Sequence, residues 1–209
     1  ALTLACAGIT SLSPAVLSMK GMSGRKYRGF INNLVSGSSR YLEVGPSKGS
    51  TLCSAMSGHP SARAVAIDDW SMFGGSEDAL KANLRTAGVS DDAVTIINGD
   101  FRGVDFAALG KFDFYMFDGP HAEEDHYDGI ALAVPALADE FVVIVDDWNW
   151  ERVRAGTLSA LRDQGLRALF CAEVFTETQK PIGDSAKDET FFAQDSDWHN
   201  GYFIGVMSK

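Results

Sequence analysis

Hydrophobic positions along this chain fall into two alternating rhythms. Apolar runs of strand length stand near 41–44, 63–67, 93–97, 112–117 and 141–145, and helical stretches are expected between them near 50–57, 76–87, 101–109 and 124–137. Repeated strand and helix predict a doubly wound α/β sheet, mostly parallel, with helices on both faces. Ahead of the first run, Tyr27, Phe30, Ile31 and Leu34 recur at i, i+3, i+4 and i+7, one apolar helical face with Ser23 placed as its N-cap. Residues 1–36 are therefore expected to form a helical cap, packed on a single domain over 37–209. A helix near 151–164 leads to "LRALFCAEVF", a polar stretch at 176–200, and "GYFIGVM". These last two apolar runs are expected to pair as an antiparallel edge, for about seven strands in all.

In such sheets ligands sit beyond the carboxyl ends of the strands, so the residues that follow each run carry the chemistry. After the first comes "YLEVGPSKGSTLC" at 41–53. A nucleoside triphosphate loop needs Gly-Lys-Ser/Thr, and here the order is Lys48, Gly49, Ser50. A dinucleotide turn needs a glycine where Ser47 stands, and the Glu43 carboxylate beside it would repel a diphosphate. That carboxylate suits a ligand carrying an ammonium and a sulfonium. The second run ends "AVAIDDW", which places Asp68 where an acidic side chain accepts both hydroxyls of a ribose. The fourth and fifth, "FDFYMFDGPH" and "FVVIVDDWNW", bring Asp118, Asp146 and Asp147 to one edge. Unless protonated, three carboxylates together need a counter-charge, most simply Mg²⁺ or another divalent cation with sites left for substrate oxygens.

The run Glu43-Val44-Gly45-Pro46-Ser47-Lys48-Gly49-Ser50 resembles the first motif of class I S-adenosylmethionine-dependent methyltransferases, which share a Rossmann-like fold. The resemblance covers roughly residues 41–147. It implies an S-adenosylmethionine site built from Glu43, Gly45, Gly49, Ser50 and Asp68, with Asp100 reaching the adenine amino group and Phe101 packing on the ring. Asp69 and Trp70 are further candidates for the adenine pocket. The acidic cluster is similar to that of metal-dependent O-methyltransferases of the catechol and sugar types. By that likeness Asp118, Asp146 and Asp147 are metal ligands. Asp147 stands where the catechol type has asparagine, which is closer to the sugar type. The catechol-type base is a lysine three residues after the first metal-site aspartate, and His121 takes that place. Asp118 is the other candidate base, and orientation alone carries the rate in other subclasses. The implied activity is O-methylation of a hydroxyl on a small molecule or saccharide. The rivals are a metal-independent methyl or aminopropyl transferase of the same fold and a non-catalytic cofactor-binding module.

Composition narrows the partners. A formal charge of -10 on 209 residues, with "GRKYR" at 24–28 the one basic cluster, argues against nucleic acid or an anionic membrane as a partner. Cys6, Cys53 and Cys171 are too few and too scattered for a disulfide framework or a zinc site, which points to a reducing cytoplasm. The opening "ALTLACAG" lacks a basic flank and is read as a chain end. Trp148 and Trp150 are candidates to stack on an acceptor or to contact a second copy in a homo-oligomer. The 176–200 stretch, with Asp188, Glu189, Trp198 and His199, is a candidate substrate lid.

Overall fold

The structure, a computed structural model, describes residues 1–35, 39–176 and 198–209. Seven strands form one sheet in the order β3-β2-β1-β4-β5-β7-β6. They are β1 (Arg40–Val44), β2 (Arg63–Asp68), β3 (Val94–Asn98), β4 (Phe112–Phe117), β5 (Leu137–Val145), β6 (Arg167–Val174) and β7 (Tyr202–Ser208). The first five run parallel, and β7 lies antiparallel between β5 and β6. The expected sheet, Rossmann-like with an antiparallel C-terminal pair, is the one observed. The central strands β1 and β4 are buried on both faces, as their nearly continuous apolar runs require.

Two layers of side chains flank the sheet. On one face Tyr27, Phe30 and Ile31 of α3 (Arg25–Leu34) and Leu52 and Met56 of α4 (Ser50–Met56) pack over Tyr41, Phe114 and Ile144. On the other, Leu42, Phe117, Val143 and Trp148 meet Ile130 of α6 (Glu123–Ala133) and Val153 and Leu161 of α7 (Glu151–Asp163). Helix α6 presses so closely on its neighbours that a Cβ on Gly129 would sit 2.3 Å from the Phe117 ring, and one on Gly156 of α7 would sit 2.0 Å from the Glu123 carbonyl. Helix α5 (Glu77–Thr86) is capped by Ser76, whose hydroxyl accepts from the Ala79 amide.

Several expectations are corrected. The cap of α3 is Gly24, because the Ser23 hydroxyl is engaged with Ser50 at 2.8 Å and accepts from Arg28 Nε at 2.9 Å. Two short helices, α1 (Leu2–Cys6) and α2 (Pro14–Leu17), precede it. The buried Arg28 holds this region to α3 by donating to the carbonyls of Val16, Leu17, Met19 and Ser23. The helix expected at 101–109 is instead two separate 3-10 turns, Phe101–Gly103 and Phe106–Leu109. The helix expected to reach 137 stops at Ala133, where Pro135 enters a 3-10 turn and β5 begins early, at Leu137. The 36/37 boundary and most of the 176–200 stretch, including Asp188 and Glu189, lie outside the described residues. Among the described residues, no helix is long and apolar enough to cross a membrane.

Candidate active site

The cleft lies at the carboxyl ends of β1, β2, β4 and β5 and encloses about 1080 Å³, its open mouth included. One side is built by the turn after β1. Gly45 and Gly49 both hold φ of +84°, and Ser47 between them holds +49°. Packing within the protein demands both glycines. A Cβ on Gly45 would lie 1.9 Å from the Asp118 carbonyl oxygen, and one on Gly49 would lie 2.3 Å from Leu80 Cδ1. Asp68 organises the same turn, since its two carboxylate oxygens accept from the Ser47 and Trp70 amides at 2.8 and 2.7 Å. Burial raises the Asp68 pKa, and those two amides pull the other way. Trp70, itself at positive φ, donates from Nε1 to the Ser47 carbonyl at 3.0 Å.

Of the residues the sequence assigns to an adenosyl pocket, Gly45, Asp68, Asp69, Asp100 and Phe101 line the cleft, and Trp70 does not. Asp100 also caps the first 3-10 turn, accepting from the Arg102 amide at 2.9 Å, and Phe101 sits edge-on to Phe117 under the Arg102 guanidinium. Glu43, Gly49 and Ser50 are not part of the lining. Glu43 is fully buried beneath the turn, accepting from the hydroxyls of Tyr41 at 2.8 Å and of Thr51. Burial pushes its carboxyl up to about 7 despite those two donors.

The opposite side holds the acids. Asp118, Asp146 and Asp147 all line the cleft, and so does His121. The donor atoms that converge, however, belong to Asp118, His121 and Asp147, all within 4.8 Å of one another. Asp146 is turned out of this group, its Oδ1 accepting from the Asp147 amide at 2.7 Å and its carboxylate hydrogen bonded to Asp118. Burial, then mutual repulsion among the acids, raises the pKa of both Asp118 and Asp146 well above the carboxylate range. Asp147 adopts φ of +56°, a strained conformation that aspartate tolerates better than most residues. Its Oδ2 faces His121 Nε2 at 3.3 Å and its Oδ1 accepts from Asn200 Nδ2 at 2.6 Å. His121 Nδ1 is buried, with no hydrogen-bond partner among the described residues. Desolvation lowers the His121 pKa against the pull of Asp147, so the imidazole is neutral near pH 7 and able to act as a ligand. Two converging carboxylates and a neutral nitrogen fit a divalent cation.

Trp148 is a core residue, fully buried against Phe203 and donating to Glu173 at 2.7 Å, whereas Trp150 lines the cleft edge-on to His121. Met22, Ser47, His199 and Asn200 also line it. Of these, the sequence reading placed only His199, in a lid. The signal available for Asn200 was the direction of β7, since a strand antiparallel to β5 starts where β5 ends. Asn149 and Trp148 accordingly donate their amides to the Asn200 and Gly201 carbonyls.

Among solved structures the fold is shared with the O-methyltransferase TomG from Streptomyces achromogenes, involved in tomaymycin synthesis and bound to S-adenosylmethionine. The two are 15% identical with a TM-score of 0.65, over 96% of this chain and 92% of that one. It is also shared with an O-methyltransferase from Bacillus cereus in complex with S-adenosylhomocysteine, at 16% identity and TM-score 0.60 over 100% and 88% of the two chains. A third is cofactor-bound Rv0187 from MTB, at 18% and 0.61 over 98% and 86%. These identities establish likeness of fold. The chain spans only about half of some other matches, 48% of a SAM-dependent methyltransferase from Streptococcus mutans and 52% of TrmN from Thermus thermophilus. No curated protein matches. The sequence pattern described as "methyltransferase domain" matches residues 42–148, more than half of the chain, with the carboxyl ends of β1, β2, β4 and β5 inside it. The chain belongs to the methyltransferase domain family.

Proposed function

We propose that the protein is an S-adenosylmethionine-dependent O-methyltransferase acting on a hydroxyl of a small molecule or saccharide, with a divalent cation at the acidic side of the cleft. The observation that carries the proposal is the convergence of Asp118, His121 and Asp147 opposite the Gly45–Ser47–Asp68 wall of one cleft. The O-methyltransferases among the similar folds support the choice of oxygen as acceptor.

Asp68, Gly45 and Phe101, which line the cleft, would hold the adenosyl part, with Asp100 and Asp69 beside it. Bound S-adenosylmethionine supplies an electrophilic methyl group on a sulfonium. Asp118, His121 and Asp147 would hold the cation, which lowers the pKa of a hydroxyl brought to it. His121 is therefore assigned as a ligand and not as the base. Its Nδ1 is shut away from the cleft, and Nε2, which faces Asp147, cannot both ligate and accept a proton. Asp146, which lines the cleft outside the converging set, is the carboxylate left to take the acceptor proton. Trp150 and the partly exposed Met72 and Phe73 give the acceptor an apolar wall.

A second reading has its own observation. The hydrogen bond between Asp118 and Asp146 lets the pair share one proton, which relieves repulsion without a metal. Turnover of S-adenosylmethionine across a panel of catechols and sugars, with Mg²⁺ or with chelator, decides between the two. Activity restored by Mg²⁺ after chelation supports the proposal, and activity indifferent to chelator favours the metal-free transferase. Absence of turnover together with normal S-adenosylhomocysteine binding would favour a non-catalytic module.

A further inference from the structure

We propose that Asn200 determines which cation the site accepts, by occupying one oxygen of Asp147 so that this carboxylate ligates through the other alone. The proposal rests on the cation reading above. Asp147 Oδ1 accepts from Asn200 Nδ2 at 2.6 Å, while Oδ2 faces His121 Nε2 at 3.3 Å. One carboxylate is thereby divided between two tasks. Both residues are buried, so little water competes for the hydrogen bond between them. Only the amide end of the asparagine fits there, because its carbonyl turned toward a carboxylate would set two acceptors against each other.

The backbone holds Asn200 in this position from both sides. Its carbonyl accepts from the Asn149 amide at 2.9 Å, and the His199 carbonyl before it accepts from Thr176 Oγ1 at 2.7 Å. Gly201 follows at φ of +85°, where a Cβ would lie 2.3 Å from the Val174 carbonyl oxygen. Asn149 closes the arrangement, its Oδ1 accepting from the Thr176 amide at 3.0 Å and its Nδ2 donating to Thr176 Oγ1 at 2.8 Å. Residues beyond β5 and β6 and ahead of β7 thus fix one amide against one carboxylate.

The neutrality of that donor matters. A lysine or arginine here would itself supply the counter-charge that the acids need, whereas an amide orients the carboxylate and leaves its charge for a ligand. The amide hydrogen is partly positive, so it opposes a divalent ion at Oδ1. Ca²⁺ gains from a carboxylate that offers both oxygens, because it takes roughly six to eight oxygen ligands in flexible geometry; Mg²⁺ demands near-octahedral ligation at about 2.0–2.1 Å and does without the second oxygen. Holding Oδ1 therefore favours Mg²⁺ over Ca²⁺.

Calorimetry with MgCl₂ and with CaCl₂, titrated separately into the parent and into Asn200→Leu, tests this, with Asn200→Ala as the second variant if leucine prevents folding. Leucine is close to asparagine in size and removes the donor. The parent should bind Mg²⁺ more tightly than Ca²⁺, and the variant should lose at least about tenfold in Mg²⁺ affinity while its Ca²⁺ affinity holds or rises, with S-adenosylhomocysteine affinity within about twofold of the parent. An equal loss for both ions overturns the proposal, since a merely structural role weakens both alike. An unchanged Mg²⁺ affinity or a parent that prefers Ca²⁺ also overturns it. A crystal structure of the parent grown with MgCl₂ should show Oδ2 alone on the ion and Asn200 still on Oδ1; both Asp147 oxygens on the ion would overturn the assignment. A parent that binds neither ion removes the cation reading and this proposal together.

Discussion

Replacing Glu43 by glutamine isolates the energetic cost of a buried carboxylate at the centre of the sheet. Glu43 is fully buried on β1, level with Ala66 of β2 and Met116 of β4, and its pKa is pushed from 4.5 to about 7. A carboxyl whose folded pKa is raised contributes stability that is fully present below its unfolded pKa and is lost as pH rises through its folded one. The window therefore runs from 4.5 to about 7. At about 1.4 kcal/mol for each pH step between those values, ionised Glu43 costs the fold roughly 3 kcal/mol above neutrality. Glutamine copies the protonated form in shape and never ionises. Parent and Glu43→Gln should melt together near pH 4.5. By pH 8 the variant should be higher by roughly 6–12 °C, at about 2–4 °C per kcal/mol for a chain of this size. Other titrating groups largely cancel in the difference between the two proteins. Differential scanning calorimetry across pH 4.5–8.5 measures it, and parallel melting curves would refute the burial argument. The same variant tests the placement of Glu43 beneath the turn, because S-adenosylhomocysteine affinity should stay within about threefold; a large loss would mean that this carboxylate meets the ligand.

Gly45→Ala should lose at least about 3 kcal/mol of stability, because the new Cβ meets the Asp118 carbonyl in a left-handed conformation; a melting temperature close to the parent's would show the turn to be wrong. Asp147→Asn should weaken Mg²⁺ binding by at least about tenfold, whereas Asp146→Asn should keep that affinity and lose turnover. Calorimetry showing the reverse order would return Asp146 to the ligand set. Arg28→Met leaves the carbonyls of Val16, Leu17, Met19 and Ser23 short of donors, at about 1–3 kcal/mol for each one left buried and unpaired. Limited proteolysis should then cut ahead of residue 24 before it touches the sheet, and an unchanged cleavage pattern would argue against that role.

The sheet was legible because each strand is a compact apolar run, and the site because its acids directly follow those runs. What misled was chemistry with more than one outlet. Ser23 has the composition of an N-cap, yet a buried serine and a buried arginine claim its hydroxyl. Phe101 and Phe106 lie five residues apart, a spacing that puts them on different sides of a helix, and the Asp100 side chain closes the first of two tight turns by accepting from the Arg102 amide. Glu43 has the type and spacing of a ligand contact, and only the structure shows Tyr41 and Thr51 holding it below the surface. The roles proposed for Asp146 and His121 differ from those expected of them for a geometric reason. The Asp147 amide captures Asp146 Oδ1, and the left-handed turn at Asp147 aims the next carboxylate at the imidazole. Aspartate is enriched in such turns, but aspartates stand at both 146 and 147, so residue type does not say which of the two adopts it.

The contact between Gly45 and Asp118 has a thermodynamic consequence. The Gly45 Cα packs against the carbonyl of the residue that supplies the first acidic donor, with no side chain between them to absorb a displacement. Any shift of the glycine turn is thus delivered to Asp118 through rigid backbone. If occupancy of the adenosyl side changes affinity at the acidic side, linkage requires the reverse effect to be of equal size. Dissociation constants measured for either ligand alone would then describe a different state from the one that turns over, and the ternary complex becomes the proper reference for comparing acceptors.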